Sequence, residues 1–379
     1  MTPKTLVALE AMSNVNVMAD ITNEYGYNFT LLTYDPSLYS GLENVNVVVL
    51  QTHDSSKVEE YVQENIDTIY NIFSVTDTWG LLAARLREKY AFPSFIKSQD
   101  LTQFRNKSWV QSKIENFQQE TNIGWPRICK PINGTGKIGV KLLYSEEEYK
   151  KFIAEIDDHN EYMTQPFYKG PLYSAEVWKS KDNFTFFGIT NCIISKPPFF
   201  LEETKAFPWA ANSSWENSVK EWTLSILETL NYNLGLAHIE FIESSDGFKL
   251  IEINARMAGA LITPSILEST NYNPYRYTVE QAIGITPSIP IERQIYKGYA
   301  HTSIYAHKTG YIQSISGLEE IKNYPGNPTW FPSKSIKEKV REIGTYKARI
   351  GNLLVTAPTA ELAQDRAITI ASHIEVEIE

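Results

Sequence analysis

The chain has 379 residues, 42% of them hydrophobic and 21% charged, with a formal net charge of −10. That balance describes a water-soluble globular protein of two or three domains, and its acidity argues against non-specific nucleic-acid binding. No apolar run reaches the roughly 18 residues of a membrane span, and the first apolar stretch, residues 5–9, is too short for a signal peptide, so the cytoplasm is the expected compartment.

In chain order, residues 4–9 (KTLVAL) read as a buried strand and residues 18–25 as a helix closed by Gly26. Strands are expected at 29–32, 45–50 and 68–73, and helices at 57–65 and 79–89. Strands alternating with helices predict a parallel sheet with crossover helices, so residues 1–95 read as a small α/β domain. No G-x-G-x-x-G follows the first strand, which argues against a dinucleotide site there.

A helix is expected at 106–119, with Lys107 near its N-terminus, where it opposes the helix dipole. On its own Lys107 reads as an ordinary surface lysine. Residues 125–140 (WPRICKPINGTGKIGV) hold a strand that ends in Lys130 and enters a loop with Gly134, Gly136 and Gly139. Such glycines free backbone N–H groups to approach an anion closely, and Lys130 and Lys137 could lie along a polyphosphate. The loop is not a Walker A motif. A plain hairpin turn explains the glycines equally well, but not both flanking lysines.

Ser145 followed by Glu148 reads as a capping box opening a helix to 156. A short apolar segment at 162–168 and strands at 173–178 and 184–194 follow. Pro197, Pro198 and Pro208 mark an irregular loop, and residues 214–231 a helix. Small residues within 257–262 let the backbone approach a ligand. The chain is strand-rich from 299 on, with a helix at 359–373 and a last strand at 374–378. Cys129 and Cys192 sit in apolar runs and make neither a disulfide framework nor a zinc site.

The most informative stretch is 238–256 (HIEFIESSDGFKLIEINAR). Both halves alternate polar and apolar residues, which means two strands. Ile239, Phe241, Ile251, Ile253 and Ala255 are expected on one face, and His238, Glu240, Glu252, Asn254 and Arg256 on the other. A three-residue loop, Ser245-Asp246-Gly247, would set Glu240 opposite Glu252 and His238 opposite Asn254. Two carboxylates across a ladder repel. A hard divalent cation bridging them, with Asn254 as a further oxygen ligand, accounts for the set, and Arg256 would meet phosphate or carboxylate oxygens. The alternative is a solvated polar face of an edge hairpin.

These residues together resemble the ATP-grasp superfamily, in particular carboxylate–amine ligases similar to bacterial L-amino acid ligases and biotin carboxylase-like enzymes. The resemblance implies an α/β (α+β) ATP-grasp fold. Its parts would be an N-terminal Rossmann-like pre-ATP-grasp domain (1–95), an ATP-grasp domain (96–295, with a lid at about 122–180) and a C-terminal β-rich subdomain (296–379). By the same resemblance Lys107 and Lys130 are ATP-binding lysines, and Gly134, Thr135, Gly136 and Lys137 belong to the mobile loop over the phosphates. Gln165 and Phe167 fall at the adenine hinge, where an acidic residue is frequent in place of Gln165. Glu176 falls at a contact to ribose or metal. Glu240, Glu252 and Asn254 match the metal ligands, and Arg256 the arginine that steadies an acyl phosphate. His238 also reads as a packed histidine.

The implied cofactors are ATP and Mg²⁺ (or Mn²⁺), and the implied partners are small-molecule carboxylic acid and amine substrates. No nucleic-acid or membrane partner is implied, and a homodimer is a candidate assembly. The implied reaction is ATP-dependent amide formation through an acyl phosphate, on amino acids or a related small acid, with natural-product or siderophore biosynthesis as the setting family analogy offers. A carboxylase-type enzyme and a catalytically silent ATP-binding regulator are the alternatives.

Overall fold

The computed structural model describes residues 3–11, 14–39, 41–117, 124–134, 136–156, 158, 161–181, 183–259 and 261–379. Thr135 and Ala260 therefore lie outside the described residues, as does the end of the helix expected at 106–119.

The N-terminal elements are β1 (Thr5–Leu9), α1 (Val15–Glu24), β2 (Asn28–Thr33), β3 (Asn46–Val49), α2 (Ser55–Glu64), β4 (Ile69–Phe73) and α3 (Asp77–Lys89). The strands pair in parallel in the order β3-β2-β1-β4. Leu6, Ala8 and Leu31 bury on one face of this sheet and Val7, Leu9 and Leu32 on the other. A sheet covered on both faces needs near-continuous apolar strands, which is why β1 reads LVAL.

Two short helices follow, α4 (Ser98–Arg105), which was not expected, and α5 (Lys107–Lys113), which ends earlier than the helix expected at 106–119. Asn106 divides them: it leaves the helical conformation and its Oδ1 accepts the Trp109 amide at 2.9 Å, the usual competition of an Asn side chain with the helix ladder. The next layer is a small antiparallel sheet, β6-β5-β7, built from β5 (Arg127–Pro131), β6 (Lys141–Leu143) and β7 (Tyr162–Pro166) with α6 (Glu146–Ala154) between the last two. Ser145 caps α6 by accepting the Glu148 amide at 3.2 Å.

The strands β8 (Leu172–Lys179), β9 (Phe184–Ile194) and β10 (Glu202–Phe207) lead to α7 (Ser214–Thr229) and the hairpin β11 (Leu236–Ser244) and β12 (Gly247–Asn254). The helices α8 (Ile262–Ser269) and α9 (Pro274–Ala282) follow. The C-terminal part comprises β13 (Gly298–Tyr305), β14 (Gly310–Ser316), β15 (Thr329–Pro332), β16 (Lys339–Val340), β17 (Arg349–Ala357), α10 (Ala360–Ala371) and β18 (Glu375–Ile378). A single antiparallel sheet, β12-β11-β8-β9-β10-β13-β17-β15, runs through this half, and β16-β14-β18 form a smaller one. Among the described residues no helix is long and apolar enough to cross a membrane.

Two expectations change. The proline-marked loop contains β10, paired with both β9 and β13. Its prolines bracket the strand, Pro197 and Pro198 before it and Pro208 just after, so none removes a ladder hydrogen bond. In the hairpin, Glu240 does face Glu252 and His238 does face Asn254. The route differs: Ser244 pairs with Gly247 across a two-residue turn, and an irregularity after Glu240 restores the register. Ile251 is the extra residue of this bulge. Leu250 and Ile253 therefore take the core face with Ile239 and Phe241, and Ile251 joins the polar side instead.

Candidate active site

A cleft separates the small sheet β6-β5-β7 from the polar face of β11 and β12. Its walls include Lys107, Lys130, Gly134, Gly136, Lys137, Gln165, Phe167, Glu240, Glu252 and Arg256, all expected from the sequence, together with Glu202, Phe200, Tyr168 and Ile251. Among the described residues, Glu176 and Asn254 are the expected ones that do not line it.

The hairpin supplies the acidic floor. Glu252 Oε1 accepts from Asn254 Nδ2 at 2.9 Å, and its Oε2 lies 3.2 Å from Lys107 Nζ. Glu240 Oε1 lies 3.3 Å from His238 Nε2. Behind it, His238 Nδ1 lies 2.9 Å from Glu176 Oε1, which also accepts from Ser174 Oγ at 2.8 Å. Burial alone would push the imidazole pKa down, but Glu176 above all, with Glu240, raises it to about 9. Glu176 thus sits beneath His238, where it orients the ring that touches Glu240.

The cationic side comes from α5 and β5. Lys107 opens α5, its amide bonded to the Ile132 carbonyl at 3.1 Å, and its Nζ donates to the Gly134 carbonyl at 2.6 Å. Helix and glycine loop are thereby tied together. Lys130 is 5% exposed, and its Nζ donates to the Ile251 carbonyl at 3.1 Å, a group that the hairpin bulge turns toward the cleft. Burial pushes the Lys130 ammonium down to about 8, partly offset by Glu252. Gly136, Lys137 and Gly139 all hold positive φ, which fixes the loop's tight course. A Cβ on Gly139 would come within 2.7 Å of the Tyr162 hydroxyl.

Arg256 follows β12 directly. Its Nε donates to Asp77 Oδ2 at 2.6 Å and its Nη1 to the Met257 carbonyl at 2.8 Å. Asp77 opens α3, so this pair joins α3 to the end of the hairpin. Gln165 on β7 is 5% exposed, and its Oε1 has no hydrogen-bond partner among the described residues. A buried acceptor left unmade is costly, and this one belongs to a cleft wall, where a ligand's N–H would satisfy it.

Sequence patterning alone missed Glu202 and Lys205 because it missed β10. Lys205 Nζ lies 2.6 Å from Glu202 Oε2, and Lys137 Nζ lies 3.1 Å from Glu202 Oε1. Lys137 also donates to the Phe200 carbonyl at 3.0 Å. The glycine loop is therefore fastened across the cleft to the central sheet. Burial works against the charged form of Glu202, but Lys205 and Lys137 hold its carboxyl well below the usual range. The alternation Glu202, Thr204, Ala206 against Glu203, Lys205, Phe207 was the available signal, too short to stand out beside the turn chemistry of Pro197, Pro198 and Pro208.

No group of three or more His, Cys, Asp and Glu side chains able to hold a metal occurs among the described residues. The donor set on the hairpin nevertheless suits a hard cation: two facing carboxylates and an amide oxygen, with Lys107 and His238 now meeting the carboxylates. Mg²⁺ is characteristically held by one or two carboxylates and completed by substrate phosphates rather than by an all-protein cage.

Residues 83–260 match the family model of the ATP-grasp domain, and residues 303–379 that of L-amino acid ligase C-terminal domain 2. A solved L-amino acid ligase from Bacillus licheniformis superposes with a TM-score of 0.82 at 17% identity, covering 100% of both chains. Dapdiamide A synthase of Enterobacter agglomerans is 26% identical over 164 residues, 38% of this chain and 36% of that protein. D-alanine–D-alanine ligase B of Clostridium perfringens is 24% identical over 208 residues, 50% of this chain and 65% of that one. The chain thus spans less than two thirds of the length of these curated relatives. On the α/β fold shared with the solved ligase, the chain carries an ATP-grasp domain at residues 83–260 followed by an L-amino acid ligase C-terminal domain at residues 303–379.

Proposed function

We propose that this chain is an ATP-dependent carboxylate–amine ligase that forms an amide through an acyl phosphate and releases ADP and phosphate. The observation that carries this reading is Glu240 facing Glu252 on the floor of a cleft whose other walls hold Lys107, Lys130 and Arg256. Acid floor and basic walls suit a metal-bound polyphosphate better than either an anion or a cation alone. Mg²⁺, held by Glu240, Glu252 and Asn254 when bound, would neutralise phosphate oxygens and stabilise the charge that shifts during transfer.

The chain's own residues position and neutralise. Lys107, Lys130 and the amides of the glycine loop meet phosphate oxygens; Gln165 and Phe167 meet the base. Fastened to Glu202 through Lys137, the loop excludes water from the phosphates and protects the acyl phosphate. Arg256 holds the acid substrate's carboxylate by the part of its fork that Asp77 leaves open. An oxygen of that carboxylate attacks the γ-phosphorus, the bridging bond to ADP breaks, and the amine then displaces phosphate from the acyl carbon and loses a proton. No protein nucleophile is required: burial pushes the thiol of Cys129 up to about 11 and that of Cys192 up to about 12, so neither is poised to attack.

The substrates proposed are amino acids or related small carboxylic acids, a reading that the ligase names among the relatives support. The domain division at about 95 and 295 and a cytoplasmic setting are proposed with it. The test is phosphate release across a panel of acid and amine pairs with Mg²⁺ and ATP, with hydroxylamine as a trap. Release that requires an acid, rises with an amine and yields a hydroxamate supports the proposal. Release indifferent to both substrates contradicts it.

A further inference from the structure

A separate cavity of ≈ 430 Å³ opens between the turn that follows β3, the first half of α3 and the end of α4. That is within the range of small-molecule sites, about 300–1,000 Å³. Its walls include His53, Trp79, Arg85, Arg105 and Asn133. Open α/β sheets characteristically take ligands in the crevice outside the carboxyl ends of their parallel strands, and His53 and Trp79 follow two such ends, those of β3 and β4. Arg105 and Asn133 also border a gap of ≈ 10 Å³ whose other side is Lys107, Gly134 and Glu252. The last three line the cleft as well. A gap of that size holds about one water, so the cavity lies close to the acidic floor of the cleft.

The charge in this cavity is one-sided. In a chain of net charge −10, its lining holds two arginines and no Asp or Glu among the described residues. Arg85 is exposed and makes no hydrogen bond or ion pair among the described residues. Arg105 is half-buried, and its Nη1 donates to the Asp77 carbonyl at 2.9 Å. Burial pushes the Arg105 pKa down; Asp77 opposes the shift and Arg85 adds to it, so the two guanidiniums act on each other as like charges. The nearby carboxylates are committed elsewhere. That of Asp77 accepts from Arg256 Nε at 2.6 Å. That of Asp54, next to His53, accepts the amide and hydroxyl of Ser56 at 2.9 and 2.6 Å. An oxyanion placed with both arginines removes their repulsion and gives their forks acceptors; a neutral group does neither. The aromatic side of the cavity is set in advance. Trp79 Nε1 donates to the Thr52 carbonyl at 3.2 Å, and its ring lies 5.2 Å from that of His53.

We propose that this cavity binds a second anionic group, a carboxylate or a phosphate, carried by one of the two substrates several atoms away from the reacting centre. The enzyme then prefers a doubly anionic substrate to its neutral counterpart. This rests on the ligase reading above and narrows it, because the group recognised is not one that every amino acid carries. Arg85 and Arg105 are specificity-determining residues in this scheme and touch no reacting atom.

The experiment is calorimetric titration of the wild-type protein, Arg85→Gln and Arg105→Gln with paired probes: aspartate against asparagine, glutamate against glutamine, O-phosphoserine against serine, and succinate against succinamate. Within each pair the rest of the molecule is the same, so only the second anion is read, and the pairs separate carboxylate from phosphate. Arg85 is exposed, so Arg85→Gln keeps the fold and serves if Arg105→Gln does not. The expected result is that at least one anionic probe binds tenfold or more tightly than its neutral partner. That preference should fall roughly tenfold in Arg85→Gln, the scale of a lost hydrogen bond between charged groups, with binding of the neutral partner and of ATP unchanged. Equal binding within every pair, binding of no probe, or a preference that survives Arg85→Gln overturns the inference and leaves the arginines as solvated surface charges. Because binding is read without turnover, an Arg85-dependent preference without phosphate release from ATP would sink the ligase reading alone. Phosphate release that needs an acid and an amine, with no Arg85-dependent preference, would sink this one alone.

Discussion

Two lysines are buried beside the same cleft and live in opposite electrostatic company. Lys205 on β10 has Glu202 at 2.6 Å, and although burial opposes its charge, that partner raises its pKa. Lys130 on β5 forms no ion pair within 4.0 Å among the described residues and donates to the Ile251 carbonyl, and burial, partly offset by Glu252, brings it down to about 8. The β10 wall is electrostatically complete in itself. The wall made by β5 and β7 is not: it combines an under-compensated cation with the unpartnered oxygen of Gln165. On the proposed reading these are the groups that a bound ligand would match, and stability given up there would be the ordinary cost of a binding site.

The comparison breaks most visibly at the hairpin floor that faces both walls. Glu252→Gln should leave the fold intact, since it relieves the repulsion with Glu240, and should lower turnover by roughly 10²-fold or more, the scale for removing a transition-state electrostatic group. Steady-state phosphate release at fixed Mg²⁺ measures it. Next comes Lys205→Met, which strands Glu202 with Lys137 alone. It should cost up to about 3 kcal/mol in denaturant unfolding, the lower end for breaking a buried pair.

Lys130→Met should do the reverse. ATP affinity by calorimetry should fall about tenfold or more, the value of a hydrogen bond between charged groups, while unfolding stability without ligand holds or rises. The pH dependence sharpens this. Because the folded pKa of about 8 lies below a free lysine's 10.5, the unfolded chain binds more protons in between. The penalty on stability is therefore full below pH 8 and fades as pH rises toward 10.5. The stability gap between Lys130→Met and wild type should narrow over that window, which unfolding curves at pH 7 and pH 9.5 test. The smallest effect is expected for Lys137→Ala. Its contact with Glu202 is part-exposed, so about 0.5 kcal/mol is at stake, but loosening the loop should speed its cleavage by protease.

The four N-terminal strands were legible to within a residue, because strands buried on both faces write themselves as apolar runs such as residues 5–9, whereas α1 and α2 begin two or three residues earlier than expected. The charged face of the hairpin was legible for a related reason: strict alternation left Glu240 and Glu252 no other face. The bulge at Ile251 was not. A three-residue turn and a two-residue turn plus a bulge give the same register at Glu240, and only packing of Leu250 chooses between them. The helix α9 carried a signal that went unread, Asn273 followed by Pro274: Asn273 Oδ1 accepts the Arg276 amide at 3.0 Å with proline in the first turn. Glu202 and Lys205 were lost with β10, whose short alternation is hidden by the prolines on either side of it.

The central claim is that this cleft activates a carboxylate by transferring a phosphoryl group to it. The most direct measurement is chromatography of the nucleotides in quenched reactions containing ATP, Mg²⁺, the acid and the amine. ADP formed in equal amount with inorganic phosphate and amide product is the predicted result, and AMP with pyrophosphate as the main products would contradict it.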